Sequence, residues 1–415
     1  MDTAPWYGHG TSEIVIGWAM EELLTPQDGG GEGREDDNDD GDTSSKQPRN
    51  DGVISREDII VNTKIGRYEE NPNKQFDFSQ KTTIDSVKRS IQRMKCMYID
   101  VLQLHDPEFA PSLQQLMTET IPAMITCRRN GYCKALGITG YPLEVQYQIL
   151  QRTLDCKFDD DIDGPIWDQA LTYGHFNLHD RSLISQPILS IHNDNDDDNQ
   201  KEKKMAYKSY AEYCYKNSIG VLGAAPLSMG LLTKQGPPLW HPANSTELAK
   251  ACRDAVTICH DNNVNISTLA TVVALSNPQT IPCTIVGMKD ISEVITAADC
   301  ANRYHTVVTT TSTSRSSSEE EEKEYFPGRD IDSWNASSDV LLKQVLSDTE
   351  YSVWLKLNDP NDGPFASIWN RKDTMYKWDG IQGVKEFWNQ LDNKYRENDG
   401  SATTKDVEFW QATSM

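Results

Sequence analysis

Four side chains of the types that move a hydride and a proton together lie in three short segments. Asp2-Thr3-Ala4-Pro5-Trp6-Tyr7-Gly8 supplies an Asp and a Tyr. Asn62-Thr63-Lys64-Ile65-Gly66-Arg67-Tyr68 supplies a Lys, and Leu102-Gln103-Leu104-His105-Asp106 a His. A tyrosine hydroxyl ionises near pH 10, too high for proton exchange near neutrality unless a cation stabilises the phenolate. A buried Lys provides that cation, and a carboxylate keeps the Lys charged and in place. A His then hydrogen-bonds the substrate oxygen and fixes its orientation. Tyr7, Lys64, Asp2 and His105 fit these roles in turn. Singly, each has an ordinary reading as a turn tyrosine, a solvated strand-end charge or a satisfied core histidine. Their conjunction at the ends of successive strands is what points to chemistry.

Such a set needs a rigid frame. From residue 53 onward, strand and helix patterns alternate. A β-branched run covers 58–64, and Ile84, Val87, Ile91 and Met94 then recur at helical spacing. Further strands are expected over 98–105, 133–139, 167–174, 220–225 and 282–287. Helices are expected over 112–129, 142–153, 206–217, 246–262, 266–276 and 291–301. Six strand–helix units imply a parallel sheet. No G-x-G-x-x-G follows a strand, and the reactive residues sit at the C-terminal ends of several strands. Both points favour a closed (β/α)8 TIM barrel over an open sheet. Asp2 should close a second strand whose body lies before Met1. The expected fold is therefore an α/β barrel lacking the first βα unit and most of the second strand, weakly active or inactive as it stands. The alternative is that other segments patch the gap.

The chain has 415 residues and a formal net charge of −23. Acidic tracts at 28–42, 194–198 and 315–324 carry more than half of that charge. The barrel is assigned to 1–305, with disordered insertions at about 25–52 and 190–204. A low-complexity linker is assigned to 306–329. A Trp-rich extension at 330–415 either packs on the barrel or stands apart from it. The acidity argues against nucleic-acid or anionic-membrane partners. Nine scattered cysteines, an odd number, argue against a disulfide framework. No apolar run approaches a membrane span and no signal peptide is recognisable, so the chain reads as cytoplasmic. His175 and His179 lack companions for a metal site, and no metal is expected.

The stretch SVKRSIQRMKCMYIDVLQLHD (86–106) resembles the segment before the active-site His of the aldo-keto reductases. ETIPAMITCRRNGYCKALGITGYPLE (119–144) and GVLGAAPLSMGLLTKQGPPLWHPA (220–243) resemble the L-galactose dehydrogenase and D-arabinose 1-dehydrogenase branch of that superfamily. The likeness covers most of 1–302 outside the insertions. It implies NAD(P)-linked oxidation of an aldose at C1 to the aldonolactone, with Tyr7 as general base. It implies cofactor contacts by Thr139 and Tyr173 at the nicotinamide, by Ala225, Leu227 and Gly230 at the pyrophosphate, and by Gly287, Met288, Lys289 and Asp290 at the adenosine ribose. Strand-end packing is the other reading of Thr139 and Tyr173, and a plain turn that of Gly230. Asp290 would repel a 2′-phosphate, so NAD is expected, with NADP possible. Thr296-Ala297 departs from the family's usual Glu-Asn pair. Trp6, His9 and Trp240 are candidates for the sugar pocket, with barrel-top packing as the alternative. The expected partner is a small-molecule sugar, and the expected state a monomer or weak dimer. An NADPH-linked aldehyde or ketone reductase and a non-catalytic cofactor-binding barrel remain as competing readings.

Overall fold

A computed structural model describes residues 1–24, 54–71, 74–154, 158, 166–190, 204–238, 247–313 and 331–366. Its strands are β1 (Asn62–Ile65), β2 (Ile99–His105), β3 (Cys133–Gly140), β4 (Gln169–Tyr173), a separate antiparallel pair β5 (Ile188–Ser190) and β6 (Lys204–Tyr207), then β7 (Gly220–Ala224) and β8 (Cys283–Ile285). The sheet order is β1-β2-β3-β4-β7-β8, and every pairing in it is parallel. Helices fill the connections: α1 (Thr11–Leu24), α2 (Gln80–Arg93), α3 (Ile121–Arg129), α4 (Leu143–Leu154), α5 (Tyr210–Lys216), α6 (Glu247–Asp261), α7 (Ile266–Ala274) and α8 (Ile291–Thr313). Then follow α9 (Ile331–Val345) and α10 (Asp348–Leu357). Strands joined in chain order through helices are the arrangement of a (β/α)8 barrel, here over six of its strands.

The two faces of the sheet differ, because successive side chains alternate. Ile65, Leu102, Leu104, Leu136 and Ile138 join the main core, which lies between sheet and helices. Lys64, Gln103, Gly137 and Gln169 share one level of the opposite, inner face. His105, Thr139, Leu171, Leu222 and Cys283 form the next level. The sheet curls. Residues 1–3 pair along the free edge of β1, where the Asn62 amide donates to the Met1 carbonyl at 2.9 Å and the Thr3 amide to the Asn62 carbonyl at 2.9 Å. At the far edge, the Cys283 thiol lies within electrostatic reach of the Met1 ammonium and the Asp2 carboxylate. Both edges thus face the same N-terminal segment.

Local chemistry explains where the elements depart from the expected spans. Pro122 interrupts the helix expected over 112–129. It has no N–H to donate and crowds the carbonyl four residues back, and the preceding residues Leu116–Thr120 open into a π-turn. The helix expected from 206 starts at Tyr210, because Ser209 caps it by accepting from the Glu212 amide, and Lys204–Tyr207 pair with β5 instead. The helix expected over 291–301 continues to Thr313, into the stretch read as linker. Among the described residues, no helix is long and apolar enough to cross a membrane. No cluster of three or more potential metal ligands occurs among them either, and their eight cysteines are free thiols.

The helix α1 was not signalled by the sequence. It meets the end of α2 through Gly17, where an added Cβ would stand 2.1 Å from the Arg93 carbonyl oxygen. A contact that close forces backbone to move, so Gly17→Ala is expected to lower unfolding free energy by about 1–3 kcal/mol. Urea denaturation of the two proteins measures this directly.

Candidate active site

The four reactive side chains converge. Asp2 is bridged to Asn62, so its carboxylate lies beside the inner face of β1. Lys64 Nζ donates to Asp2 Oδ2 at 2.7 Å and to the Thr3 carbonyl at 2.8 Å. Its side chain is 1% exposed. The same ammonium lies 4.6 Å from the centroid of the Tyr7 ring. Tyr7 meets His105 edge-on, with ring centroids 6.1 Å apart. The turn carrying Tyr7 is tight. Gly8 and Gly10 have φ of 56° and 92°, and a Cβ on Gly10 would strike the Arg93 guanidinium at 2.6 Å. α1 then anchors the turn from behind. Its fully buried Glu13 accepts from the Thr63 hydroxyl at 2.7 Å and from Arg93 at 3.0 Å.

The environment sets the protonation states. Burial raises the Tyr7 hydroxyl above its usual pKa of 10.0, while the Lys64 charge pulls the other way. Burial works against the Lys64 charge, yet Tyr7 and Asp2 together hold the ammonium above its ordinary value. Burial pushes the His105 imidazole down to about 3, against the pull of Asp106 and with the push of Lys64 and Arg67. His105 is therefore neutral at physiological pH and presents one N–H and one lone pair.

The expected cofactor residues fall on neighbouring strand ends. Thr139 is buried opposite His105 in the sheet register. Tyr173 stands one level higher, opposite Ala224. Ala225, Ser228, Met229 and Gly230 all have positive φ, so the loop holding Ala225, Leu227 and Gly230 is tightly coiled. At Gly230 a Cβ would stand 2.9 Å from the Gly236 carbonyl, so glycine is required there. Gly287, Met288, Lys289 and Asp290 form the exposed turn between β8 and α8. Asp290 caps α8, accepting from the Glu293 amide at 3.0 Å. Thr139, Tyr173, the coiled loop and the exposed turn are the groups that could hold a dinucleotide.

The pocket candidates separate. Trp6 is buried and lies under the Arg67 guanidinium at 4.2 Å. His9 is exposed, turned to Glu70 at 2.7 Å. Trp240 lies outside the described residues. A cavity of about 940 Å³ between α2 and the loop after β1 includes His9, Tyr68, Arg89 and Arg93 in its walls but none of the four reactive side chains.

A model of the aldo/keto reductase family matches residues 1–162. L-galactose dehydrogenase of Arabidopsis thaliana is 32% identical over 293 residues, 71% of this chain and 70% of that protein. The chain is an aldo-keto reductase. As a member of this family it is an oxidoreductase that uses a nicotinamide cofactor. D-arabinose 1-dehydrogenase of Saccharomyces cerevisiae is 26% identical to this aldo-keto reductase over 299 residues, covering 72% of the chain and 71% of the yeast protein. Among solved structures, an aldo-keto reductase of Bacillus halodurans superposes with a TM-score of 0.46 at 16% identity, covering 84% of each chain. The glycerol dehydrogenase of Gluconobacter oxydans gives 0.44 at 18%, over 83% of this chain and 81% of that one.

Arg67, Asp106 and Glu108 also belong to this site, the first two within the segments that carry Lys64 and His105. Arg67 Nη1 donates to Asp106 Oδ2 at 2.9 Å. Glu108 is buried, and burial reinforced by Asp106 pushes its carboxyl up to about 8. The available signal was three charges placed directly after apolar strands.

The His105 shift has a consequence for stability. Its folded pKa lies below the ordinary 6.5, so the unfolded chain takes up the proton first. Stability should therefore fall as pH drops from about 6.5 towards about 3. His105→Gln is expected to flatten this slope by one proton's worth. Urea unfolding at a series of pH values checks it.

Proposed function

We propose that this aldo-keto reductase oxidises an aldose at C1 and gives the aldonolactone. The observation that carries the reading is the buried Lys64 ammonium, held by Asp2 and the Thr3 carbonyl beneath the Tyr7 ring. The anomeric hydroxyl fits between Tyr7 and His105. Neutral His105 donates to the substrate oxygen and orients it. Tyr7 accepts the hydroxyl proton, and Lys64 stabilises the phenolate from which it does so. A nicotinamide held beside Tyr7 and His105 would supply the hydride acceptor for C1. The two dehydrogenases similar over about 70% of the chain are named for sugars of this class, which supports the choice of substrate.

NAD is the proposed cofactor. A 2′-phosphate would need a free cation near Lys289, whose ammonium lies 3.7 Å from Glu293 and beside the carboxylate of Asp290. Both acids oppose a further anion. The opposite direction has one observation in its favour. Burial keeps Tyr7 protonated, and a protonated Tyr7 is the form that donates in carbonyl reduction.

Initial rates with L-galactose, L-fucose and D-arabinose in the presence of NAD should exceed those for reduction of simple aldehydes with NADPH. Tyr7→Phe should lower sugar oxidation at least about 100-fold. Failure of every sugar, with aldehydes turned over, would replace this reading by the reductase one. The KM for NAD should lie below that for NADP, and the reverse order would overturn the cofactor assignment.

A further inference from the structure

Beside the reacting groups stands a second charged pair that the proton transfer does not use. Arg67, on the turn after β1, lies against the rings of Trp6 at 4.2 Å and Phe76 at 5.4 Å. Its guanidinium fixes Asp106 through Oδ2 at 2.9 Å. The other oxygen, Asp106 Oδ1, lies 3.7 Å from His105 Nε2. That separation is too long for a hydrogen bond between them. Both atoms are thus available to a third group. Asp106 is also held in a left-handed conformation, φ 48°, where the Asp106 amide donates to the Thr139 carbonyl at 2.8 Å. The carboxylate is consequently fixed by its backbone as well as by Arg67.

Two neighbouring hydroxyl oxygens of a sugar, in the gauche arrangement, lie about one hydrogen-bond length apart. Two roughly parallel hydrogen bonds from them would end on protein atoms at a comparable separation. His105 Nε2 and Asp106 Oδ1 stand 3.7 Å apart, somewhat wider than that, so two hydrogen bonds that diverge slightly from the sugar reach one atom each. The chemistry also matches in sense. His105 Nε2–H donates to the reacting oxygen, and an anionic carboxylate accepts from a hydroxyl on the next carbon. A simple aldehyde or alcohol has no such group.

We propose that Asp106, held by Arg67, is a specificity-determining residue that accepts a hydrogen bond from the 2-hydroxyl of the substrate. The inference rests on the proposed oxidation at C1 and narrows it to substrates with a hydroxyl next to the reacting carbon. Four charged or titratable groups face Asp106, namely Arg67, His105, Tyr7 and Glu108. Of these, Arg67 alone carries a permanent positive charge. The uncharged acid form of Glu108 leaves that charge to Asp106.

The test compares D-arabinose with 2-deoxy-D-ribose, which differ by the 2-hydroxyl alone, using the full chain and NAD. The wild type should prefer D-arabinose about 30-fold or more in kcat/KM, the range of one hydrogen bond to a charged group. Asp106→Asn suits the left-handed backbone, since Asn tolerates that region. It should lose activity on D-arabinose and keep its rate on 2-deoxy-D-ribose, so that the preference collapses to a few-fold. Arg67→Met should shift the ratio in the same direction. Unchanged NADH binding by fluorescence establishes that each variant is folded. Equal losses on both sugars would mean that Asp106 only positions His105, and would overturn the assignment. A wild type that oxidises both sugars equally would also overturn it, while leaving C1 oxidation standing. Oxidation of neither sugar would remove the C1 reading and this inference with it.

Discussion

A single buried charge organises this protein. Lys64 sits on the inner face of a sheet strand with 1% of its side chain exposed, where an unpaired ammonium would cost several kcal/mol. The Asp2 carboxylate, the Thr3 carbonyl and the Tyr7 ring face are what make that burial tolerable. None of the three is near Lys64 in sequence. The chain must therefore return along the edge of β1 and turn sharply at Gly8 and Gly10. It must also be fastened there by α1, whose buried Glu13 ties Thr63 to Arg93. The fold around the first strand follows from the need to neutralise one amine.

Above that pair the charges are layered. Lys64 and Asp2 lie beneath the reacting groups, Arg67 and Asp106 beside them, and neutral Tyr7 and His105 between. The two ion pairs hold each other's fields in check at short range. What remains for a ligand is a hydroxyl under the influence of Lys64 and an imidazole kept uncharged by burial. Both are groups that can exchange or share protons without bringing a net charge into the barrel. The aromatic faces of Trp6 and Phe76 keep Arg67 from swinging out into solvent.

Much of this was legible in the residues. Lys64 and His105 lie at the ends of β-branched or apolar runs, so the strands follow from the residues, whereas the register of β1 with β2 sets the levels of their side chains. The parallel order follows from the repeated strand–helix pattern. α1 escaped because its pattern is inverted: Glu13 is buried, whereas Val15 and Trp18 are 49% and 59% exposed. A stripe search looks for apolar residues on the buried side, and here an acid occupies it to serve Thr63 and Arg93. The short β5–β6 pair carries too few residues for a strand signal, and Ser209 rather than any periodicity decides where α5 begins. His9 reads as a pocket candidate, and a left-handed step at φ 52° turns its ring towards Glu70, which no spacing in the sequence signals. Arg67 and Asp106 are invisible as a pair because 39 residues separate them, and only the register of β1 with β2 brings their strand ends together.

Two sets of bonds fasten the described residues that flank β1. Glu13 holds α1 to β1. Arg56 donates to the Ile59 and Tyr98 carbonyls and to Asp100, fixing the entry into β1. The pairing of Asp2 with Lys64 is therefore secured from two sides, by α1 and by Arg56. Two short attachments, one before β1 and one at its entry, keep an acid at residue 2 against an amine at residue 64.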